Sequence, residues 1–153
     1  MEIRIDDRYE SRVDPDPLRE AADETLAQQP AEDGCELTVV VTGDGVVRQL
    51  NRRHRGLDTS TDVLAFPGRA EGPFVDASGL APYLGDVIIS FPQAEAQAQQ
   101  AGNTLSAELQ LLVVHGVLHL LGYDDQTERE AARMWAVQRA ILDRLGVQVH
   151  LRN

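Results

Sequence analysis

Two histidines, a glycine and an aspartate in the last third of the chain are spaced as the ligands of one metal ion. His115 and His119 lie four positions apart in an apolar run that begins at Leu109. On a helix they share one face, with Cβ atoms roughly 5–6 Å apart. Gly122 follows where helices commonly end in a left-handed residue, a conformation that glycine adopts easily. A turn there would bring Asp125 back towards the histidines, so the pattern predicts a metal site formed by His115, His119 and Asp125.

Zinc is the ion that this donor set favours, because imidazole and carboxylate both suit it and three protein ligands leave a position for water. Nickel or copper binds the same donors, and the sequence leaves both open. One ion with a metal-bound water as nucleophile is therefore expected. The spacing is that of the metzincin signature H-E-x-x-H-x-x-G-x-x-H, except that Gly116 replaces the glutamate and Asp125 replaces the third histidine. A peptidase would need its base from elsewhere in the chain.

A basic cluster is the second group of residues with a chemical role. Arg48, Arg52, Arg53, His54 and Arg55 fall within 8 positions, at the predicted end of a helix. Such a cluster also fits a solvated helix end, where arginines favour the negative end of the dipole. Beside a metal, however, a guanidinium pairs with phosphate oxygens and stabilises the charge that builds as a phosphodiester is cleaved.

The composition narrows the class of protein. At 153 residues, one domain over residues 1–153 is expected, with a core large enough to fold unaided. Cys35 is the single cysteine, which excludes an intrachain disulfide and a cysteine-based zinc site. The first residues lack the pattern of a signal peptide, and no apolar run reaches the roughly 18 residues of a membrane span. A cytoplasmic protein without a membrane partner is expected.

The charge balance is strongly acidic. There are 25 acidic residues against 14 basic ones, all of them arginine, and the net charge is −11. An acid excess of this kind is used by halophiles, whereas a GC-rich genome would also favour arginine over lysine, and the two explanations stay open. The balance argues against a non-specific nucleic-acid binder, because such proteins usually carry a basic surface.

The order of the predicted elements indicates an α+β fold, a small mixed sheet packed with helices, in which one central buried helix carries the two histidines. Residues 68–83 are expected to form a long loop, and Gly43-Asp44-Gly45 a turn. The predicted strands are 2–6, 35–42, 63–67 and 84–91, and the predicted helices begin at about Pro17, Val46, residue 93, Thr104 or Ser106, and Thr127.

Four segments in this order resemble the YbeY family of bacterial metal-dependent endoribonucleases. They are residues 50–56 (LNRRHRG), 61–67 (TDVLAFP), 84–89 (LGDVII) and 115–125 (HGVLHLLGYDD). The resemblance covers about residues 35–145. It implies zinc bound by His115 and His119, and it maps the functionally important arginine of the family onto Arg55. Arg52 and Arg53, in the same basic cluster, are expected to add weaker, salt-screened contacts to the substrate.

The resemblance implies cleavage of single-stranded RNA, with roles in maturing the 3′ end of small-subunit ribosomal RNA and in ribosome quality control. Expected partners are ribosomal RNA and the small ribosomal subunit or its assembly factors. Asp125 stands where the family has its third histidine. This departure lowers the net charge of the site by one, so bound water should ionise at higher pH than with three histidines. Asp124 or water could also complete the ligand set.

Two alternatives stay open at the level of sequence. One is a metzincin-like metallopeptidase, with Asp124 or a distant glutamate as its base. The other is a non-catalytic, ribosome-associated factor whose zinc is structural. Metal-dependent cleavage of single-stranded RNA, compared with that of casein, would separate the enzyme from both.

Overall fold

Alternating and periodic apolar residues build four strands and five α-helices in the part of the chain that is described. The structure is a computed structural model that describes residues 1–31, 34–68 and 82–150. Its elements are β1 (Glu2–Ile5), α1 (Pro15–Gln28), β2 (Glu36–Thr42), α2 (Asp44–Arg55), β3 (Val63–Pro67), β4 (Tyr83–Ser90), α3 (Phe91–Ala101), α4 (Leu105–Leu120) and α5 (Glu128–Leu145).

The four strands form one mixed sheet in the order β1-β2-β4-β3. The pairs β1–β2 and β2–β4 are parallel, and β3 runs antiparallel to β4 at the edge of the sheet. Val39 of β2 lies opposite Val87 of β4 in the register, and both side chains are fully buried. The prediction of an α+β fold with a small mixed sheet is confirmed.

Helix α4 lies at the centre of the fold. It contacts α1, α3 and α5 as well as β3 and β4, and Val113, Val114 and Val117 are fully buried. A Cβ built on Gly116 would lie 2.5 Å from Cγ1 of Val87, so the absence of a side chain at that position lets α4 approach the sheet closely. The expectation of one central buried helix carrying both histidines is therefore confirmed.

Helix α2 contacts β3 and β4 from the opposite face of the sheet. Neighbouring residues of a strand point to opposite faces, and on β3 it is Phe66 whose ring contacts His54 of α2, with ring centroids 4.9 Å apart. The last turn of α2, which carries the arginine cluster, therefore lies next to the edge strand.

Helices α1 and α2 begin earlier than the sequence pattern predicts. Helix α1 starts at Pro15 rather than Pro17, because the Asp14 side chain accepts a hydrogen bond from the backbone N–H of Asp16 and caps the helix. Helix α2 starts at Asp44, inside the predicted turn. Its first turn is held from outside, since Asp44 Oδ1 accepts hydrogen bonds from Ser60 and Ser90, at 2.8 and 2.6 Å.

The boundary between β4 and α3 also differs from the prediction. Strand β4 begins at Tyr83, and Phe91 is the first residue of α3 instead of the last residue of the strand. The hydroxyl of Ser90 accepts from the backbone N–H of Gln93 and caps the helix. Most of the loop predicted over 68–83 lies outside the described residues. Among the residues that the structure does describe, no helix has the length and hydropathy needed to span a membrane.

Candidate metal centre and its cleft

The end of helix α4 fixes the orientation of His119. Gly122 adopts φ +103°, and the backbone N–H groups of Gly122 and Tyr123 donate to the carbonyls of His119 and Leu118, both at 3.0 Å. This is the Schellman pattern of helix termination. It places the Tyr123 carbonyl 2.9 Å from Nδ1 of His119. With Nδ1 protonated and donating to that carbonyl, Nε2 of His119 presents its lone pair to a ligand.

His115 is oriented by a residue of another helix. Its Nδ1 lies 2.5 Å from Oε1 of Gln138 on α5, and Gln138 is 2% exposed. The amide oxygen accepts the Nδ1 proton, which leaves Nε2 of His115 free on the side of His119. Partners of this kind fix the tautomer and the ring orientation of metal-binding histidines.

Three donor atoms converge as a result. The Nε2 atoms of His115 and His119 are 3.0 Å apart, and Oδ2 of Asp125 lies 3.9 Å from the first and 3.7 Å from the second. The three donor atoms all lie within 4.8 Å of one another. Among the described residues, this is the group of histidine, cysteine or acidic side chains whose spacing suits one metal ion. Two imidazoles and one carboxylate are donors that Zn²⁺ accepts at about 2.0–2.2 Å, so the site fits one metal ion.

The protonation of His115 favours ligand binding. Burial lowers the pKa of His115, and the neighbouring His119 lowers it further, against the opposing effects of Gln138, Asp62 and Asp125. The ring is therefore neutral at neutral pH, the state in which imidazole binds a metal.

The donor atoms face a cleft of about 790 Å³ between the edge strand β3 and the end of α4. The backbone carbonyl of Asp62 accepts from Ser90, and the N–H of Gly68 donates to Leu84. Alternate residues of β3, including Ala65, therefore direct their backbone groups away from β4. That edge forms one wall of the cleft.

Arg55 lines the same cleft as the three donor residues. Arg55 is the last residue of α2, before the left-handed Gly56, and it lines the cleft together with His54. Within the described chain, no carboxylate forms an ion pair with Arg55, whereas Arg48 is paired with Asp58 at 2.9 Å. Arg52 and Arg53 are exposed on the same turn, but they are not among the described residues that line the cleft.

Two residues of the site were not predicted from the sequence pattern. Gln138 lies on α5, 23 residues from its histidine partner, and nothing local to a glutamine indicates such a contact. Asp62 lines the cleft, and its Oδ1 accepts from the N–H of Val63 at 2.8 Å. Asp62 could have been singled out from the sequence, because it precedes a predicted strand in segment 61–67, one of the segments that resemble the family.

The fold and the site define an α+β protein in which a central helix and the turn after it carry the candidate metal ligands, an arrangement typical of metal-dependent hydrolases. The family model of Endoribonuclease YbeY matches residues 4–146. The chain therefore belongs to the endoribonuclease YbeY family, which confirms the resemblance and the enzyme class predicted from the sequence.

Individual relatives agree with the family model. The chain is 46% identical over 123 residues to Endoribonuclease YbeY of Dehalococcoides mccartyi, covering 74% of this chain and 77% of the relative. It is 40% identical over 149 residues to Endoribonuclease YbeY of Chloroflexus aurantiacus, covering 96% of each. The solution structure of TM1509 from Thermotoga maritima is similar in fold, with a TM-score of 0.56 and 23% identity over 94% of this chain and 91% of the other.

Proposed function

We propose that this protein is a zinc-dependent endoribonuclease that hydrolyses phosphodiester bonds in single-stranded RNA. His115, His119 and Asp125 hold the ion, and Arg55 binds the phosphate that is attacked. The observation that carries the proposal is the convergence of three metal donors on a cleft that also contains an arginine without an ion-pair partner in the described chain.

The ion, when bound, supplies a Lewis acid that polarises a phosphate oxygen or lowers the pKa of water. The residues of the chain orient the ligands of the ion and bind the phosphate. Gln138 and the Tyr123 carbonyl keep both imidazoles with Nε2 directed to the site. Arg55 pairs with non-bridging phosphate oxygens, and its positive charge is most effective when negative charge builds on the oxygens around phosphorus.

A peptidase is less well supported by the packing of α4. Gly116 occupies the position at which metzincins carry their glutamate base. A Cβ there would lie 2.5 Å from Cγ1 of Val87, so a glutamate would displace the sheet or the helix. The position faces the sheet, and it offers no room for a general base.

The proposal extends to a biological role, which membership of the family supports. We propose maturation of the 3′ end of small-subunit ribosomal RNA and ribosome quality control in the cytoplasm, with ribosomal RNA and the small subunit or its assembly factors as partners. The acidic surface, at a net charge of −11, is consistent with binding to a defined site on an RNA rather than with general adhesion to nucleic acid.

The test is one assay with three arms. The purified protein is incubated with a single-stranded RNA, a duplex of the same sequence and casein, with and without a chelator, and its metal is identified by elemental analysis. The proposal expects cleavage of the single strand, loss of cleavage with chelator, and restoration by zinc. Cleavage of casein would point to a peptidase. Stoichiometric zinc without cleavage of either substrate would point to a structural metal.

A further inference from the structure

A second cavity, of about 270 Å³, adjoins the metal centre between α4 and α5. The metal-binding His115 and the loop residue Asp62 line both this cavity and the main cleft. The two spaces therefore meet at the metal centre, and one ligand could extend from one into the other.

Helical spacing explains which side chains form the cavity. On α4, Glu108, Leu111 and Leu112 precede His115 by one to two turns on the same face. On α5, Trp135 precedes Gln138 by one turn, so it lies beside the contact between Gln138 and His115. The cavity is thus a groove that starts at the metal centre and follows α4 towards its N-terminus.

The chemistry of the groove combines an aromatic wall, an apolar floor and acceptors. Trp135 is half-buried, and Leu112 is 4% exposed. Asp62 is half-buried where the groove meets the main cleft, whereas Glu108 is 1% exposed and its Oε1 already accepts from the side-chain amide of Asn103 at 3.3 Å. Aromatic side chains stack on unpaired nucleobases, and carboxylates accept hydrogen bonds from the exocyclic amino groups of bases.

From this arrangement we propose that the groove is a nucleobase pocket, in which a base next to the cut phosphate stacks on Trp135 and donates an amino hydrogen to the carboxylate of Asp62. The proposal rests on the proposed function, since it places the phosphate of the same nucleotide at the metal centre. It assigns a preference among bases: guanine, cytosine and adenine carry an exocyclic amino group that donates to Asp62, whereas uracil has no amino group and its single N3–H lies between two carbonyl oxygens that the carboxylate repels.

Trp135 is the only tryptophan of the chain, so its fluorescence reports on this groove alone. The full-length protein with its metal is titrated with GMP, CMP, AMP, UMP and ribose 5-phosphate. We expect saturable quenching by the three amino-bearing nucleotides, with UMP at least about tenfold weaker because the hydrogen bond to the Asp62 carboxylate is lost. No quenching by any nucleotide, or equal quenching by UMP or by ribose 5-phosphate, would overturn the proposal.

A variant of Asp62 distinguishes the role of its carboxylate in base binding from its role in folding. Oδ1 of Asp62 accepts a hydrogen bond from the backbone N–H of Val63 at 2.8 Å. Asp62→Asn keeps an oxygen for that bond and replaces the second carboxylate oxygen with an amide N–H donor. It should bring the affinity for UMP to within about threefold of that for GMP. Asp143→Asn, on the exposed side of α5, should leave the preference unchanged. If Asp62→Asn unfolds, the titration of the unaltered protein still decides the matter.

Cleavage provides an independent readout. RNA oligonucleotides that differ in one base beside the cut should be cut more slowly with uridine at that position. Base-selective quenching without any cleavage would support the pocket and reject the proposed function. Cleavage at equal rates for all bases, without quenching, would support the function and reject the pocket.

Discussion

Gln138 on α5 accepts a hydrogen bond from Nδ1–H of His115 on α4, with 2.5 Å between the two atoms. This contact joins the helix that carries the two histidine donors to the last helix of the described chain. Because Gln138 is 2% exposed, water cannot easily replace its amide oxygen as the acceptor. The orientation of a metal donor thus depends on how α5 packs against α4.

Removing that acceptor should weaken metal binding. Gln138→Leu leaves the Nδ1–H of His115 without a partner, and we expect the metal affinity to fall about 10–100-fold, as for other partners of metal-binding histidines. Gln138→Glu supplies a carboxylate acceptor and should retain tight binding. Competition with a chromophoric chelator measures both. A leucine variant with unaltered affinity and an unaltered thermal midpoint would show that His115 needs no such partner.

The two histidines should be required for metal binding. Replacing either His115 or His119 by alanine should reduce the metal content to a small fraction after dialysis, because two protein donors hold an ion far less tightly than three. His54→Ala is the matched control, since His54 lines the same cleft but lies outside the donor cluster. Elemental analysis decides the point, and stoichiometric metal in both variants would place the site elsewhere.

Arg55 should act on the phosphate and not on folding. Arg55→Ala should lower RNA cleavage by about 10²-fold, the effect of removing one group that stabilises transition-state charge. Metal content and thermal midpoint should remain nearly unchanged. Arg53→Ala, on the same exposed turn, should have a small effect that vanishes at high salt. An Arg55 variant that is inactive and also melts early would assign that residue a structural role.

The parts of the site that lie close together in the sequence could be predicted from it, whereas contacts between distant segments could not. His115, His119 and Gly122 lie on one helix and its terminus, so their spacing alone predicts a shared face and a turn. The end of α2 at Arg55 could also be predicted from neighbouring residues, because Gly56 terminates the helix. The contact of Gln138 with His115 spans 23 residues and depends on the packing of two helices, which no local pattern encodes.

The errors in the predicted boundaries have the same origin. Gly43-Asp44-Gly45 has the composition of a turn, yet α2 begins at Asp44. The carboxylate of Asp44 is held by Ser60 and Ser90, which are 16 and 46 residues away. Burial raises the pKa of Asp44, but these hydrogen bonds outweigh it and hold the pKa below its usual value. Tertiary contacts of this kind override a local preference.

The metal-free protein should lose stability as the pH falls through the range in which His115 takes up a proton. Burial lowers the pKa of His115 in the folded chain, whereas it is about 6.5 in the unfolded chain. The unfolded chain therefore binds the proton first. The stabilisation is complete above about pH 6.5 and declines as the pH falls towards the folded pKa.

Thermal midpoints of the metal-free protein between pH 5 and 8 measure this dependence. The decline on the acid side should be shallower in His115→Gln, which removes the titrating ring while keeping a polar side chain. Identical slopes in the two proteins would show that other groups cause the loss of stability.

Asp125 is where this chain departs from the family resemblance, and its Oδ2 lies 3.7 and 3.9 Å from the two Nε2 atoms. Asp125→His should restore a three-histidine site and raise its net charge by one. The rising limb of the pH–rate profile should then move to lower pH, because a more positive centre makes bound water more acidic. Asp125→Ala should weaken metal binding about as much as the loss of a histidine.

Asp124→Ala is the matched control for these variants. Asp124 lies beside Asp125 in the same cleft, but its Oδ1 accepts from the backbone N–H of Asp125 at 2.7 Å, and it is not part of the donor cluster. It should therefore retain the metal. If both Asp125 variants keep the original affinity and pH profile while Asp124→Ala loses the metal, the carboxylate ligand is Asp124, and the turn at Gly122 must rearrange when the ion binds.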